Sequence, residues 1–248
     1  MRKLEQADEI LLSIILGCDS NTNNVFKYLE LGVKPVRFEV MKRKLLFLQY
    51  ILQQDEKSMV YQVLDATIKN PIKNDFVSTC KKYLEFLEIN LTFEAIKSLS
   101  KWKFKRLMKE KIEKAAFTYL IGLKNKIGRD GRVSKIAKIK YDRLEIQQYM
   151  SENKTTTISK FIVKARSCTL DIKTQKSWKY EDKACVGCGL KEENGNEILN
   201  CEKLGTYEEN QEIPAYEWFY SENCSKMVMA AKEFMKRLKV RQRILENY

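Results

Sequence analysis

Residues 100–124 read SKWKFKRLMKEKIEKAAFTYLIGLK. Phe104, Leu107, Met108, Ile112, Ala115, Ala116, Tyr119 and Leu120 recur at spacings of three and four, the pattern of one apolar helix face. Ser100 can open that helix as its cap, and no Gly or Pro interrupts it before Gly122. Lys101, Lys103, Lys105, Arg106 and Lys109 fall largely off the apolar stripe. Cations in a first turn oppose the helix macrodipole, each at about 0.3–1 kcal/mol. Stability alone selects acids there, so the charge points to a role beyond folding.

Other helices follow outward from this one. Pro35 opens a long amphipathic run carrying Val36, Val40, Met41, Leu45, Leu48, Ile51 and Leu52. Asn74 or Asp75 can cap a helix through Val77, Cys80, Leu84 and Leu87, and Thr92 a short one with Ile96 and Leu99. A helix is expected from Thr157 through Arg166, and a basic amphipathic one over about Cys224–Leu245. Between them, Cys168, Leu170 and Ile172 alternate with polar residues in a strand-like stretch ending at Trp178 and Tyr180. The aromatic group Tyr216, Trp218, Phe219 and Tyr220 can stack bases, but reads best as a buried patch against the terminal helix. With 9 Gly and 3 Pro in 248 residues and 44% hydrophobic content, the chain has few breakers and enough apolar mass for a core. The expected fold is mainly α, a multi-helix array in two lobes. Its parts are a helical domain over 1–124, a basic linker over 125–140, and a C-terminal lobe over 141–248.

Charge is concentrated. The chain carries +13 overall. Residues 97–140 alone hold fifteen Lys/Arg against Glu110, Glu113 and Asp130, a local excess of twelve. A polyanionic partner is the physical reading of such a stretch. Candidate phosphate contacts are Lys101, Lys103, Lys105, Arg106, Lys109, Lys124, Lys126, Arg129, Arg132, Lys135, Lys138 and Lys140. The partner expected is RNA or DNA, met mostly at its backbone; a solvated helix face is the bland alternative.

The second chemical signal is Cys185-Val-Gly-Cys188, with Cys201 following. Paired thiolates at C-x-x-C spacing on a turn can share one zinc ion, and Gly187 and Gly189 give the backbone freedom such a knuckle needs. Histidine, the usual fourth ligand, occurs nowhere in the chain. If 197–201 is helical, Glu197 and Cys201 share a face, and a carboxylate oxygen is an admissible zinc ligand. Cys168 or Cys224 can take that place instead, or the knuckle (183–203) is degenerate and held by packing. Cys80 reads as a core residue.

Missing histidine also removes Ser-His-Asp and Cys-His chemistry. Neither a G-x-x-x-x-G-K-[ST] loop nor a G-x-G-x-x-G loop is present. No activity of its own is expected. The opening residues carry no export signal and no apolar run long enough for a bilayer. With seven cysteines, this implies reduced thiols in nucleus or cytoplasm and no membrane contact.

The stretch Lys164-Ala-Arg166-Ser-Cys-Thr-Leu170-Asp171-Ile172-Lys173 followed by the cysteine loop resembles the C-terminal region of non-LTR (LINE-type) retrotransposon reverse transcriptases. In that family an R-x-x-x-L/M-D-[IV]-K element precedes a Cys-Cys-His-Cys knuckle, and here the histidine position falls on Glu197. Tyr28-Leu-Glu-Leu-Gly-Val-Lys-Pro-Val-Arg-Phe38 and Lys69-Asn-Pro-Ile-Lys-Asn-Asp-Phe76 are similar to the helical stretch that follows the polymerase core. The likeness spans about residues 10–245. No adjacent Asp-Asp pair occurs, so the magnesium-binding carboxylates of such polymerases are missing. The resemblance implies a non-catalytic, nucleic-acid-binding tail with a zinc-stabilised knuckle. A helical protein–protein interaction module docking on an acidic partner, its zinc purely structural, is the alternative.

Overall fold

The structure is a computed structural model that describes residues 2–127, 136–137, 139–152, 156–176, 179–207 and 212–247. Among these residues there are eleven α-helices and no β-strand, only two isolated bridges. The helices are α1 (Arg2–Leu16), α2 (Asn24–Leu31), α3 (Val36–Leu52), α4 (Met59–Lys69), α5 (Phe76–Phe86) and α6 (Phe93–Ser98). They continue as α7 (Lys101–Ile127), α8 (Gln148–Glu152), α9 (Thr156–Arg166), α10 (Gly195–Asn200) and α11 (Cys224–Glu246). No described helix is long and apolar enough to cross a membrane.

The caps follow the chemistry that the sequence offers. Asn23, Ser58, Asp75, Thr92, Asn194 and Asn223 each accept a backbone N–H at a helix start, satisfying donors that the first turn leaves orphaned. Of the two residues expected to cap α5, Asp75 does so.

The chain divides into two compact units, one of residues 1–8 and 34–121, the other of residues 9–33 and 122–248. The expected division at 124 placed residues 9–33 in the first domain, whereas their packing groups them with the C-terminal unit. In the first unit α3 is central, and it packs against α4, α5 and α6. Its core joins Phe38, Leu45 and Leu48 to Val77, Cys80, Ile96, Phe104, Met108 and Ile112. The Gln49 and Gln53 side chains donate to the Leu99 carbonyl at 3.0 and 2.9 Å. Two amides from α3 and its C-terminal cap thereby fix the joint between α6 and α7.

In the second unit α11 packs on α8, α9, α10 and a 3₁₀ turn at Tyr216–Tyr220. Tyr216, Phe219 and Phe234 form a buried ring cluster with Phe161 alongside, so Tyr216 and Phe219 of the aromatic group are core, while Trp218 and Tyr220 are half-buried. Gly32, left-handed at φ +62, ends α2. A Cβ there would stand 2.0 Å from the Glu145 carbonyl carbon, so only glycine fits. The strand-like reading is corrected over residues 168–176. Cys168 is left-handed at φ +57, and bonds from Ile172 N to Leu170 O and Gln175 N to Ile172 O make successive turns. Leu170 and Ile172 are both buried, which produced the two-residue alternation without a strand partner. Trp178 lies outside the described residues.

Candidate metal centre and basic surface

Cys185, Cys188, Glu197 and Cys201 converge. One ligand atom from each lies within 4.8 Å of the others. The local chain explains how. Cys185 N donates to Lys191 O at 2.7 Å and Gly189 N to Cys185 O at 2.8 Å, which folds residues 185–191 into a tight turn. At Gly187 a Cβ would approach the Cys201 sulfur to 3.0 Å and the Leu204 side chain to 3.1 Å, a tight fit in which a larger residue would have to push its neighbours aside. Asn194 then caps α10 by accepting from Glu197 N at 2.9 Å. Cys201 closes that helix, placing Glu197 and Cys201 four residues apart on one face. The Cys188 Sγ lies 3.4 Å from Glu197 Oε1.

A tetrahedral zinc site with bonds of about 2.0–2.3 Å has ligand atoms about 3.3–3.8 Å apart. Small side-chain movements complete that shell, so the four residues fit a metal ion. Backbone N–H groups of Leu190 and Lys191 point at the Cys188 sulfur and hold its thiol below the usual range. Burial acts the other way on Cys185, pushed up to about 12 even though N–H groups of Cys188 and Gly187 face it. Neither of the other candidates for the fourth position belongs to this cluster. Cys168 meets the Tyr220 hydroxyl at 3.5 Å, and Cys224 starts α11 beside Glu152. Cys80 is fully buried, as expected.

A residue that sequence reasoning missed holds the knuckle in place. Glu193 is fully buried and accepts from Val186 N at 3.3 Å, Lys173 N at 3.0 Å and Arg241 Nε at 2.9 Å. Arg237, one turn earlier on α11, donates to the Cys201 carbonyl at 2.9 Å and pairs with Glu233 at 2.9 Å. Two cations of the basic terminal helix therefore face inward and clamp the loop that carries the thiolates.

The R-x-x-x-L-D-I-K element is structural in the same sense. Arg166 is 2% exposed and its guanidinium meets the wholly buried Glu30 at 2.9 Å. Glu30 also accepts from the Tyr141 hydroxyl at 2.5 Å and from the Tyr149 hydroxyl. Burial opposes charge on Arg166, yet Glu30 and the two phenols hold its pKa above the ordinary value. The two tyrosines are shifted well up by burial and by the Glu30 charge. Asp171 binds Lys179 and Tyr180, and Lys173 binds Asp182 at 2.9 Å.

On α7, Phe104, Met108, Ile112, Ala116 and Leu120 are buried at every fourth position. Lys101, Lys103, Lys105, Arg106 and Lys109 are exposed, and none is in an ion pair among the described residues. Lys101, Lys105 and Lys109 stand in one i, i+4 row; Trp102 and Arg106 form the next. Lys124 departs from the expected set. It continues the buried stripe, is 7% exposed, and its ammonium sits 5.8 Å above the Tyr141 ring with its pKa lowered by burial. Lys126 and Lys140 are exposed. Arg129, Arg132, Lys135 and Lys138 lie outside the described residues.

Compared with protein-family models, curated proteins and solved structures, the chain matches none.

Proposed function

We propose that this chain is a non-catalytic nucleic-acid-binding protein, the C-terminal part of a retrotransposon-type reverse transcriptase, which grips phosphates along the exposed side of α7. The observation that carries the reading is the group of exposed cations at Lys101, Lys103, Lys105, Arg106 and Lys109, three of them in one i, i+4 row, without carboxylate partners among the described residues, on a helix that also carries a buried stripe. Intramolecular carboxylates would have absorbed these charges had their role been stability. Instead the surface presents five cations in three turns, a density suited to a polyphosphate backbone. Binding then depends steeply on salt and little on sequence.

Zinc is the metal that three thiolates and a carboxylate on a tight turn suit best. Cys185, Cys188, Glu197 and Cys201 would hold it, and it would supply a structural cross-link between the turn and α10. Lys191, 3.8 Å from Glu197, offsets part of the negative charge such a shell carries.

A second reading, a helical protein–protein module with a structural zinc, is favoured by one observation. Ile10, Leu11, Ile14 and Ile15 of α1 are all about half exposed or more, an apolar stripe on a single helix. Titration of labelled RNA, DNA and an acidic polypeptide over a range of salt separates the two. The nucleic-acid reading predicts similar affinity for unrelated sequences and a steep fall with salt. Absence of binding to either nucleic acid at low salt would contradict it.

A further inference from the structure

Trp102 is not a core residue. It is 65% exposed, a rare condition for the largest side chain, while Phe104 and Met108 on the same helix are fully buried. The Arg106 guanidinium lies 5.5 Å from the indole centroid, one helical turn on. Lys105 is three residues away and Lys101 and Lys109 occupy the adjoining row, none of them paired to a carboxylate among the described residues. The helix start that carries Trp102 is anchored: the Ser100 hydroxyl accepts from Lys103 N at 3.3 Å, and the Gln49 and Gln53 amides bond the Leu99 carbonyl just before it.

From this arrangement we infer that Trp102 is a stacking platform for an unpaired nucleobase, and that the basic face of α7 takes single-stranded nucleic acid in preference to duplex. The inference rests on the phosphate-binding reading above and narrows its substrate class. Phosphate contact alone needs only the lysines and Arg106, so a large exposed indole beside them adds nothing to duplex binding. In a duplex the faces of the bases are covered by their neighbours in the stack. In a single strand each base has a free π-face, and an indole flanked by cations can hold the base while the ammonium groups hold the phosphates on either side. Arg106, already over the indole, extends the same surface with a planar cation. An acidic polypeptide has the charge for this surface but no planar partner for the ring.

The test compares a labelled mixed-sequence RNA strand of about 12 nucleotides, within the range of single-strand site sizes, with its blunt duplex. The full chain is used as wild type, Trp102→Ala, Trp102→Phe, and a charge variant with Lys101, Lys103, Lys105 and Arg106 all changed to Gln. Expected is tighter wild-type binding to the strand than to the duplex. Trp102→Ala should weaken strand binding roughly ten-fold, with duplex affinity and the dependence on salt unchanged. Trp102→Phe, which keeps a ring, should retain most of the affinity. Thermal melting should place both Trp102 variants with the wild type. If Trp102→Ala binds the strand as well as wild type while the charge variant fails, the stacking inference is overturned and the phosphate reading stands. Equal losses on strand and duplex overturn it as well. If the wild type binds neither, both readings fall.

Discussion

Two helices of this protein carry comparable basic sequences: the cations that open α7 all face solvent, whereas α11 divides its own between solvent (Lys232, Lys239, Arg243) and the interior (Arg237, Arg241). On α7, Lys101, Lys103, Lys105, Arg106 and Lys109 reach solvent with no carboxylate paired to them among the described residues. On α11, Arg237 and Arg241 are buried, pair with Glu233 and Glu193, and brace the loop of Cys185, Cys188 and Cys201. What separates the two is the burial of the position and the presence of a carboxylate, not the number of cations. A cation whose partner is internal contributes to folding. One left open on a solvent face is available to a partner outside the chain.

That contrast can be broken most sharply inside the second unit. Arg166→Ala strands the buried Glu30 carboxylate, and removing one member of such a pair costs about 3–5 kcal/mol. Urea denaturation should show a loss of that size, and a loss below about 1 kcal/mol would mean the pair is not a structural tie. Glu193→Ala is next. It frees Val186 N and leaves Arg241 without its carboxylate, so zinc affinity should fall about 10–100-fold, as for other groups that orient a ligand loop. Chelator competition measures this, and an unchanged affinity would remove Glu193 from the account. Glu197→His should raise zinc affinity at neutral pH by replacing a hard carboxylate with an imidazole. Identical affinity would mean that Glu197 is not a ligand. The smallest effect belongs to Lys124→Gln, which should leave the salt dependence of nucleic-acid binding unaltered. Lys105→Gln should lower that slope by close to one.

Much of this architecture was legible in the chain because helices are local. The 3/4 rhythm from Phe104 to Leu120 and the cap residues Asp75 and Thr92 act within one turn of themselves. The cluster of Cys185, Cys188, Glu197 and Cys201 was legible for the same reason, since its residues lie on one tight turn and the short helix that follows it. Lys124 was readable in principle. It stands four residues beyond Leu120 on the buried stripe, but a reading by charge counted it as exposed. Cys168, Leu170 and Ile172 misled because an alternation records burial, and a buried chain of turns alternates as well as a strand does. Pairings such as Glu30 with Arg166, or Glu193 with Arg241, join residues remote in sequence. No local pattern announces them, and they are what turns the R-x-x-x-L-D-I-K element and the terminal helix into supports.

The central claim is that the open cations of α7 contact phosphates, and the salt dependence of nucleic-acid affinity tests it most directly. Wild type should show a steep linear fall of log affinity with log salt. Each phosphate that a cation neutralises adds roughly 0.7–0.9 to that slope. The variant with Lys101, Lys103, Lys105 and Arg106 changed to Gln should therefore show a slope shallower by about 3. Parallel lines for the two proteins, offset or superimposed, would contradict the claim.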